Sequence, residues 1–331
     1  MKAFMKRLWA RFKVRLKERR EDLAVKRAEG LHQKKHNKLK FKTNGIFTWS
    51  DYKNPGFRVL YGFMLLILFL FLLAAIMPAV WLFISSFKNT AELYQVPYIL
   101  WPAHFDIGKI AEVWNYINFT KYFSNSVIVV VGAVIAAVIF NGVLAYAIAI
   151  IKPRGYKIVF AAVMLSYMIP AITSIVPLFK QIVALNLIDS YIPLWFVFGA
   201  NAFYFVMFKT YFDSIPKALI EAARLDGAND LQIFFLIVAP LSRPIIGVVA
   251  ILTTTAAWSD FLLPYLVLQN TDMQTVMVKI FSIQSTIATS GDFTPDMLLM
   301  LLCISIIPQI VIFAIFQKQI TGTSVTSGLK E

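Results

Sequence analysis

The chain has 331 residues, of which 59% are apolar and only 15% charged. A soluble domain of this length needs many more charges to cover its surface, so the composition excludes a water-soluble globular protein. The formal charge of +14 is uneven: residues 1–58 hold 18 of the 32 Lys/Arg and 5 of the 18 Asp/Glu, leaving a nearly neutral remainder.

Residues 1–58 read as a basic cytoplasmic arm. Its opening, MKAFMKRLWARFKVRLKERRE, places Phe4, Leu8, Trp9, Phe12 and Leu16 near one helical face among basic residues. That is the pattern of an amphipathic helix lying on anionic lipid. A solvated basic tail that only enforces topology is the plainer alternative. Nucleic acid is not expected as a partner, because the apolar stripe and the membrane tether favour lipid.

A bilayer takes about 20 consecutive apolar residues to cross, and residues 59–331 offer six such runs: 59–87, 122–151, 158–183, 191–212, 245–268 and 297–316. The fold class is therefore an all-α integral membrane protein with six transmembrane helices. Positive charge marks the cytoplasmic side. With the arm inside, the inner connections carry Lys152, Arg154, Lys157, Lys217, Arg224, Arg243 and Lys318, and both termini are cytoplasmic. The outer connections mix Lys109, Lys121 and Lys279 with Glu92, Asp106, Glu112, Asp272 and Asp292. In the outer segment 89–121, Trp101 and Trp114 suit an interface belt, and the lone His104 has no metal-binding company. The stretch LQNTDMQTVMVKIFSIQSTIATSGDFTP reads as a polar outer loop, with Pro295 opening the last span. Cys303, the single cysteine, lies in an apolar run and forms no intrachain disulfide.

Between the fourth and fifth spans, residues 213–244 form a polar hairpin. Asp213 or Ser214 can cap its first helix, Pro216 suits the first turn, and Gly227 suits a left-handed end. Ile215, Ala218, Leu219, Ala222 and Leu225 make an apolar stripe, with Lys217, Glu221 and Arg224 on another face. Asn229 can cap a second helix that runs through LQIFFLIV and stops before Pro240. Two readings stay open. The charges could only neutralise one another, by Lys217–Glu221 and Glu221–Arg224 pairs. Alternatively, a rigid helix bearing the small residues Ala222, Ala223 and Ala228 could lie in a groove of a cytoplasmic protein, with Glu221 as a fixed charge.

Polar groups within spans are candidates for function because lipid disfavours them. Asn125 and Asn141 are expected in helix–helix hydrogen bonds. Asn201, Tyr204, Trp258, Ser259 and Asp260 complete the set.

The string IPKALIEAARLDGAND…FFLIVAPLSRP resembles the EAA loop of permease subunits of ABC importers, with Glu221, Ala222, Ala223, Gly227 and Pro240 at the motif positions. It is most similar to the carbohydrate-uptake branch, in particular to subunits like the second permease of the maltose transporter. FSNSVIVVV, WSDFLLPYLVL and FQKQITGTSVTSGLK agree, so the likeness covers roughly residues 60–331. Ala239 departs from the leucine usual before the loop proline, and the arm is longer than the family norm.

This resemblance implies a type I importer permease in a bacterial cell membrane. It implies a coupling helix around 215–227, with Glu221, Ala222, Ala223, Arg224, Gly227 and Pro240 serving attachment to an ATPase pair. The implied partners are a second permease, two copies of the ATPase and an extracellular or periplasmic sugar-binding protein. The chain lacks a Gly-x4-Gly-Lys-Ser/Thr loop, so ATP belongs to the partner and no catalytic residue, metal or cofactor is expected here. The cargo expected is a sugar, as an oligosaccharide. Aromatic faces with amide or carboxylate groups hold sugars, which singles out Asn201, Tyr204, Trp258 and Asp260 for the pathway. Polyols, glycerol-phosphate esters or other small solutes are the alternative cargo. A secondary transporter is the rival class, disfavoured by the scarcity of intramembrane carboxylates.

Overall fold

The computed structural model describes residues 55–290 and 293–327, with side chains described over 55–286 and 293–315. The amphipathic helix expected in the arm lies outside the described residues. Among the described residues every regular element is helical.

The first helix, α1 (Pro55–Ser86), has 32 residues, and the chain divides into two units within it, after Pro78. In the first unit α1 is apolar on all sides from Gly62 onward, and its Val, Leu, Ile, Phe and Met side chains from Val59 to Met77 are exposed. A helix without a polar face suits lipid rather than water.

The second unit starts at Ala79, with Ser85 and Ser86 buried at the end of α1. Next come α2 (Thr90–Leu93), α3 (Gly108–Tyr116) and the long α4 (Phe119–Ile151), whose last five residues form a π turn. Then α5 (Tyr156–Tyr167) and α6 (Ile175–Ala184) are joined through a 3-10 turn, followed by α7 (Ile192–Gly199) and α8 (Ala202–Asp213). The hairpin supplies α9 (Lys217–Leu225) and α10 (Asp230–Leu241). The remainder is α11 (Arg243–Ser259), α12 (Leu262–Val267), α13 (Val276–Ser290) and α14 (Pro295–Ser327).

Three helices are long and apolar enough to cross a membrane singly: α1, α4 and the 295–315 part of α14. By length and composition, counting each of three bent pairs as one span gives up to six, the expected number, although the third pair takes in α10 of the hairpin together with α11. α5 and the segment ending in α6 bend by 99°, because Pro170 can neither donate to the helix nor let its predecessor stay helical. α7 and α8 bend by 43° at Ala200, where the Asn201 side chain accepts from the Tyr204 amide and starts a new helix. α10 and α11 bend by 77° ahead of Pro244. The fifth span also stops short of 268: Asp260 is extended, its carboxylate accepts from the Leu262 amide at 3.2 Å, and α12 begins afresh.

α4 is the central post. Its buried face runs Ser126, Val129, Val130, Ala133, Ala136, Ala137, Asn141, Gly142 and Ala145, which is helical spacing made mostly of small residues. In lipid no hydrophobic drive pulls helices together, so close approach across small side chains must supply the attraction. α7, α8 and α11 pack there. Asn141 reinforces the contact, donating to the carbonyls of Ala137 (2.8 Å) and Phe198 (2.9 Å) and accepting from the Asn201 amide (3.1 Å). Asn125 does otherwise: it donates to the Asp272 and Gln274 carbonyls at 2.8 and 2.9 Å, holding a connection rather than a helix.

The stretch expected as a polar loop before the last span contains α13. Val276, Ile280 and Ile283 recur at four and three residues and are buried with Met300, Leu301 and Ile304 of α14. A one-faced apolar stripe makes a helix here despite the Ser and Thr around it. Nearby, Lys88 and Lys109 are both buried. Lys88 donates to the Ile99 carbonyl and lies 4.1 Å from the Tyr98 ring centre. Lys109 donates to the Lys88 carbonyl (2.6 Å) and pairs with Asp296 of α14 (2.8 Å), which also accepts from Thr90. Burial is tolerable because each charge has several partners.

Candidate functional site

The hairpin's first helix opens differently from the expectation. Neither Asp213 nor Ser214 caps α9: Pro216 is the residue before it and no side chain caps it. Asp213 instead pairs with Lys209 one turn back (2.6 Å), and the Ser214 hydroxyl donates to the Tyr211 carbonyl (2.6 Å). Both side chains close α8, which leaves neither for α9. The far end is as expected. Gly227 has φ +84°, the Ala228 amide donates to the Ala223 carbonyl (3.0 Å) and the Gly227 amide to the Arg224 carbonyl (3.1 Å). This pair of bonds is the Schellman motif, which needs a left-handed residue.

Asn229 and Gln232 then form a capping box at the start of α10. α10 does not stop before Pro240. It passes through a π turn at Phe234–Val238 and continues through Ala239–Leu241. The wide turn accommodates a proline that an α-helical interior would not.

α9 has two faces, and the apolar stripe divides between them. Ile220 (6% exposed) and Ala223 (8%) are packed in one cluster with Tyr146, Ile148 and Ala149 of α4, Phe208 and Phe212 of α8, and Ile233 and Val238 of α10. Ile215 is packed against the same cluster. Ala218, Leu219, Ala222 and Leu225, read from sequence as one stripe with Ile215, are exposed instead, Leu225 at 89%. A helix of nine residues is marginal alone, so the buried face fixes it to the spans. The other face keeps apolar groups in the open.

Glu221 is exposed and lines a cavity of about 260 Å³ with Lys152, Asp213, Lys217 and Arg224. Of the two readings left open by the spacing, mutual neutralisation by Lys217–Glu221 and Glu221–Arg224 pairs does not form among the described residues. Arg224 pairs with Asp230 across the turn at 3.1 Å, and among the described residues no ion pair includes Lys217 or Glu221. Arg224 sits in the last turn of α9 and Asp230 in the first turn of α10, so each also faces the favourable end of a helix dipole.

The four pathway candidates fall into different clusters. Tyr204 is buried among the aromatics of α8, and Asn201 is engaged in capping that helix. Trp258 belongs to another cluster with Val130 and Ala133 of α4. Its Nε1 donates to the Ser305 carbonyl at 3.2 Å, and with Thr254 it lines an apolar cavity of about 390 Å³. Asp260 is half-buried, and its carboxylate accepts from the Leu262 amide at the break between α11 and α12.

Sequence reasoning did not single out Tyr146, Tyr211 or Asp230. The hydroxyl of Tyr146 donates to the Asp230 carbonyl (3.0 Å) and that of Tyr211 to the Leu241 carbonyl (2.9 Å). The available signal was a tyrosine near the hairpin end of each of two spans, where a polar tip can reach a backbone carbonyl.

Residues 139–322 match the family described as binding-protein-dependent transport system inner membrane component. The chain is 33% identical over 264 residues to the diacetylchitobiose uptake system permease protein NgcG of Streptomyces coelicolor, covering 79% of this chain and 86% of that one. It is 31% identical over 290 residues to the arabinooligosaccharides transport system permease protein AraQ of Bacillus subtilis, covering 84% and 98%. In fold it is similar to a chain of a bacterial ABC transporter that imports the acidic polysaccharide alginate, with TM-score 0.70, 24% identity and coverage of 83% and 99%. The chain belongs to this family: it is a permease subunit of an ABC importer and not an enzyme.

Proposed function

We propose that this permease forms half of the translocation pathway for an oligosaccharide, beside a second permease, with two copies of an ATPase docked on the hairpin side. The observation that carries this is the division of α9 between a buried face (Ile220, Ala223) and an exposed apolar face (Leu219, Ala222, Leu225) flanked by Glu221. A monomer has no use for the exposed set; a groove on an ATPase does. Glu221, Ala222, Arg224 and Gly227 meet that groove or shape the helix that does, Ala223 holds the hairpin against the spans, and Pro240 lies in the last turn of α10. The relatives named for oligosaccharides support the choice of cargo. A sugar-binding protein delivers it on the opposite side.

In this reading residues 1–58 are a cytoplasmic arm on anionic lipid, residues 59–331 are the permease domain, and both termini are cytoplasmic. Trp258 offers an aromatic face to the pathway, and Asn201, Tyr204 and Asp260 shape the breaks beside it.

Gentle extraction of the chain followed by mass spectrometry should recover a second permease and an ATPase pair. Glu221→Lys and Gly227→Pro should abolish uptake and loosen the ATPase while all spans still insert. Recovery of the chain alone, with transport persisting in vesicles without ATP, would refute the reading. Screening the accompanying binding protein against oligosaccharides, polyols and glycerol phosphate separates the cargo classes.

A further inference from the structure

α10 is gripped at both ends by tyrosine hydroxyls from two different spans. Tyr146, the last residue of α4 before its π turn, donates to the carbonyl of Asp230, the first residue of α10 (3.0 Å). Its ring centre lies 5.1 Å from that of Phe234, which opens the π turn of α10. Tyr211 of α8 donates to the carbonyl of Leu241, the last residue of α10 (2.9 Å). The Leu241 carbonyl lies among those that a helix end leaves without an intrahelical donor. The Asp230 carbonyl already receives the Phe234 amide, so the tyrosine adds a second bond where α-helix geometry needed none.

These bonds continue in both directions. The Asp230 carboxylate holds Arg224 of α9 at 3.1 Å. Along α4, Asn141 is bonded to Phe198 and Asn201 at the break between α7 and α8. Beyond Leu241, α11 departs at 77°. A force applied to α9 therefore has a bonded route into α4, α8 and α11, and α10 is the bar that carries it.

We propose that Tyr146 and Tyr211 are positioning residues for transport: they fix the angle of α10 to α4 and α8, so that a displacement of α9 moves the spans instead of being absorbed in the hairpin. This rests on the docking role given above to α9. Phenylalanine at either position keeps the ring and removes only the bond, so folding and packing are retained while the bar is loosened.

The test uses the complete transporter with its own binding protein in liposomes, carrying Tyr146→Phe, Tyr211→Phe or both. Tyr265→Phe, on an exposed tyrosine whose ring meets Phe281, is the control. Uptake and ATP hydrolysis are measured in the same vesicles, and retained ATPase is weighed by blotting. The expected result is a fall in sugar moved per ATP of about tenfold in the double variant, the scale of a typical coupling energy, with a smaller fall in each single variant and the ATPase still attached. An unchanged ratio overturns the proposal, and so does a parallel loss of uptake and hydrolysis in proportion to the assembled complex, which is what a purely structural bond would give. If the ratio holds but Glu221→Lys still abolishes uptake, only the role of the tyrosines fails. If the parent chain retains no ATPase, both readings fail.

Discussion

At Gly227 the backbone lies at φ +84° and an added Cβ would meet nothing within 4 Å, whereas at Gly132 an added Cβ would lie 2.2 Å from the Trp195 ring. The first glycine is needed for conformation and the second for space. Gly132→Ala should therefore lower the thermal stability of the detergent-solubilised chain by about 1–3 kcal/mol, the usual penalty for overpacking. Gly142→Ala, on the same helix with nothing within 4 Å of the new Cβ, should instead raise it by about 0.5–1 kcal/mol, because alanine is the better helix former. Gly227→Ala should cost about 1–2 kcal/mol, confined to the hairpin, since a Cβ is disfavoured at left-handed angles. Differential scanning fluorimetry reads the first two, and retention of the ATPase on an affinity column reads the third.

Among elements, α9 gives the sharpest contrast between neighbouring side chains. Ile220→Ala removes a packed group and should destabilise the hairpin by about 2–5 kcal/mol, seen as faster proteolysis within residues 214–230. Leu225→Ser, at an 89% exposed position, should leave proteolysis unchanged and weaken only the ATPase attachment. If Leu225→Ser instead melted the hairpin, the division of faces would be wrong.

The two ends of this element were unequally legible. Gly227 and Asn229 could be assigned from residue type alone, because a left-handed end and a side-chain cap are local requirements. Asp213 and Ser214 could not, since two helices competed for them and α8 took both. Pro240 misled, because sequence gives no sign of a π turn that accommodates it. α13 misled for a related reason: polar composition outweighed the spacing of Val276, Ile280 and Ile283, although that spacing was present.

For the molecule as a whole, hydropathy located all six spans but not their breaks, because apolar runs measure length and say little about direction. The pathway candidates were chosen by polarity, and polarity in a bent bundle often serves the bends. Asn201 caps α8, and Asp260 accepts from the Leu262 amide at the break before α12. The buried pair at the other end was hidden by its position in an outer segment, where Lys109 counted only as loop charge. It ties α3 to α14 across most of the chain. Lys109→Ala should cost about 3–5 kcal/mol by leaving the Asp296 carboxylate unpaired. Lys109→Met combined with Asp296→Leu should cost less than either single change, because no lone charge remains. Thermal unfolding of Lys109→Met, Asp296→Leu and the double variant checks the order.

The proposed ATPase contact is the exposed face of α9. Cys303 is the single cysteine, so Cys303→Ser provides a background for placing one thiol at will. With Leu225→Cys added, a short bifunctional reagent on native membranes should give a cross-linked band containing the ATPase. Val96→Cys, at a 92% exposed position far along the chain, should give none. A cross-link from Val96→Cys and none from Leu225→Cys would rule out α9 as that contact.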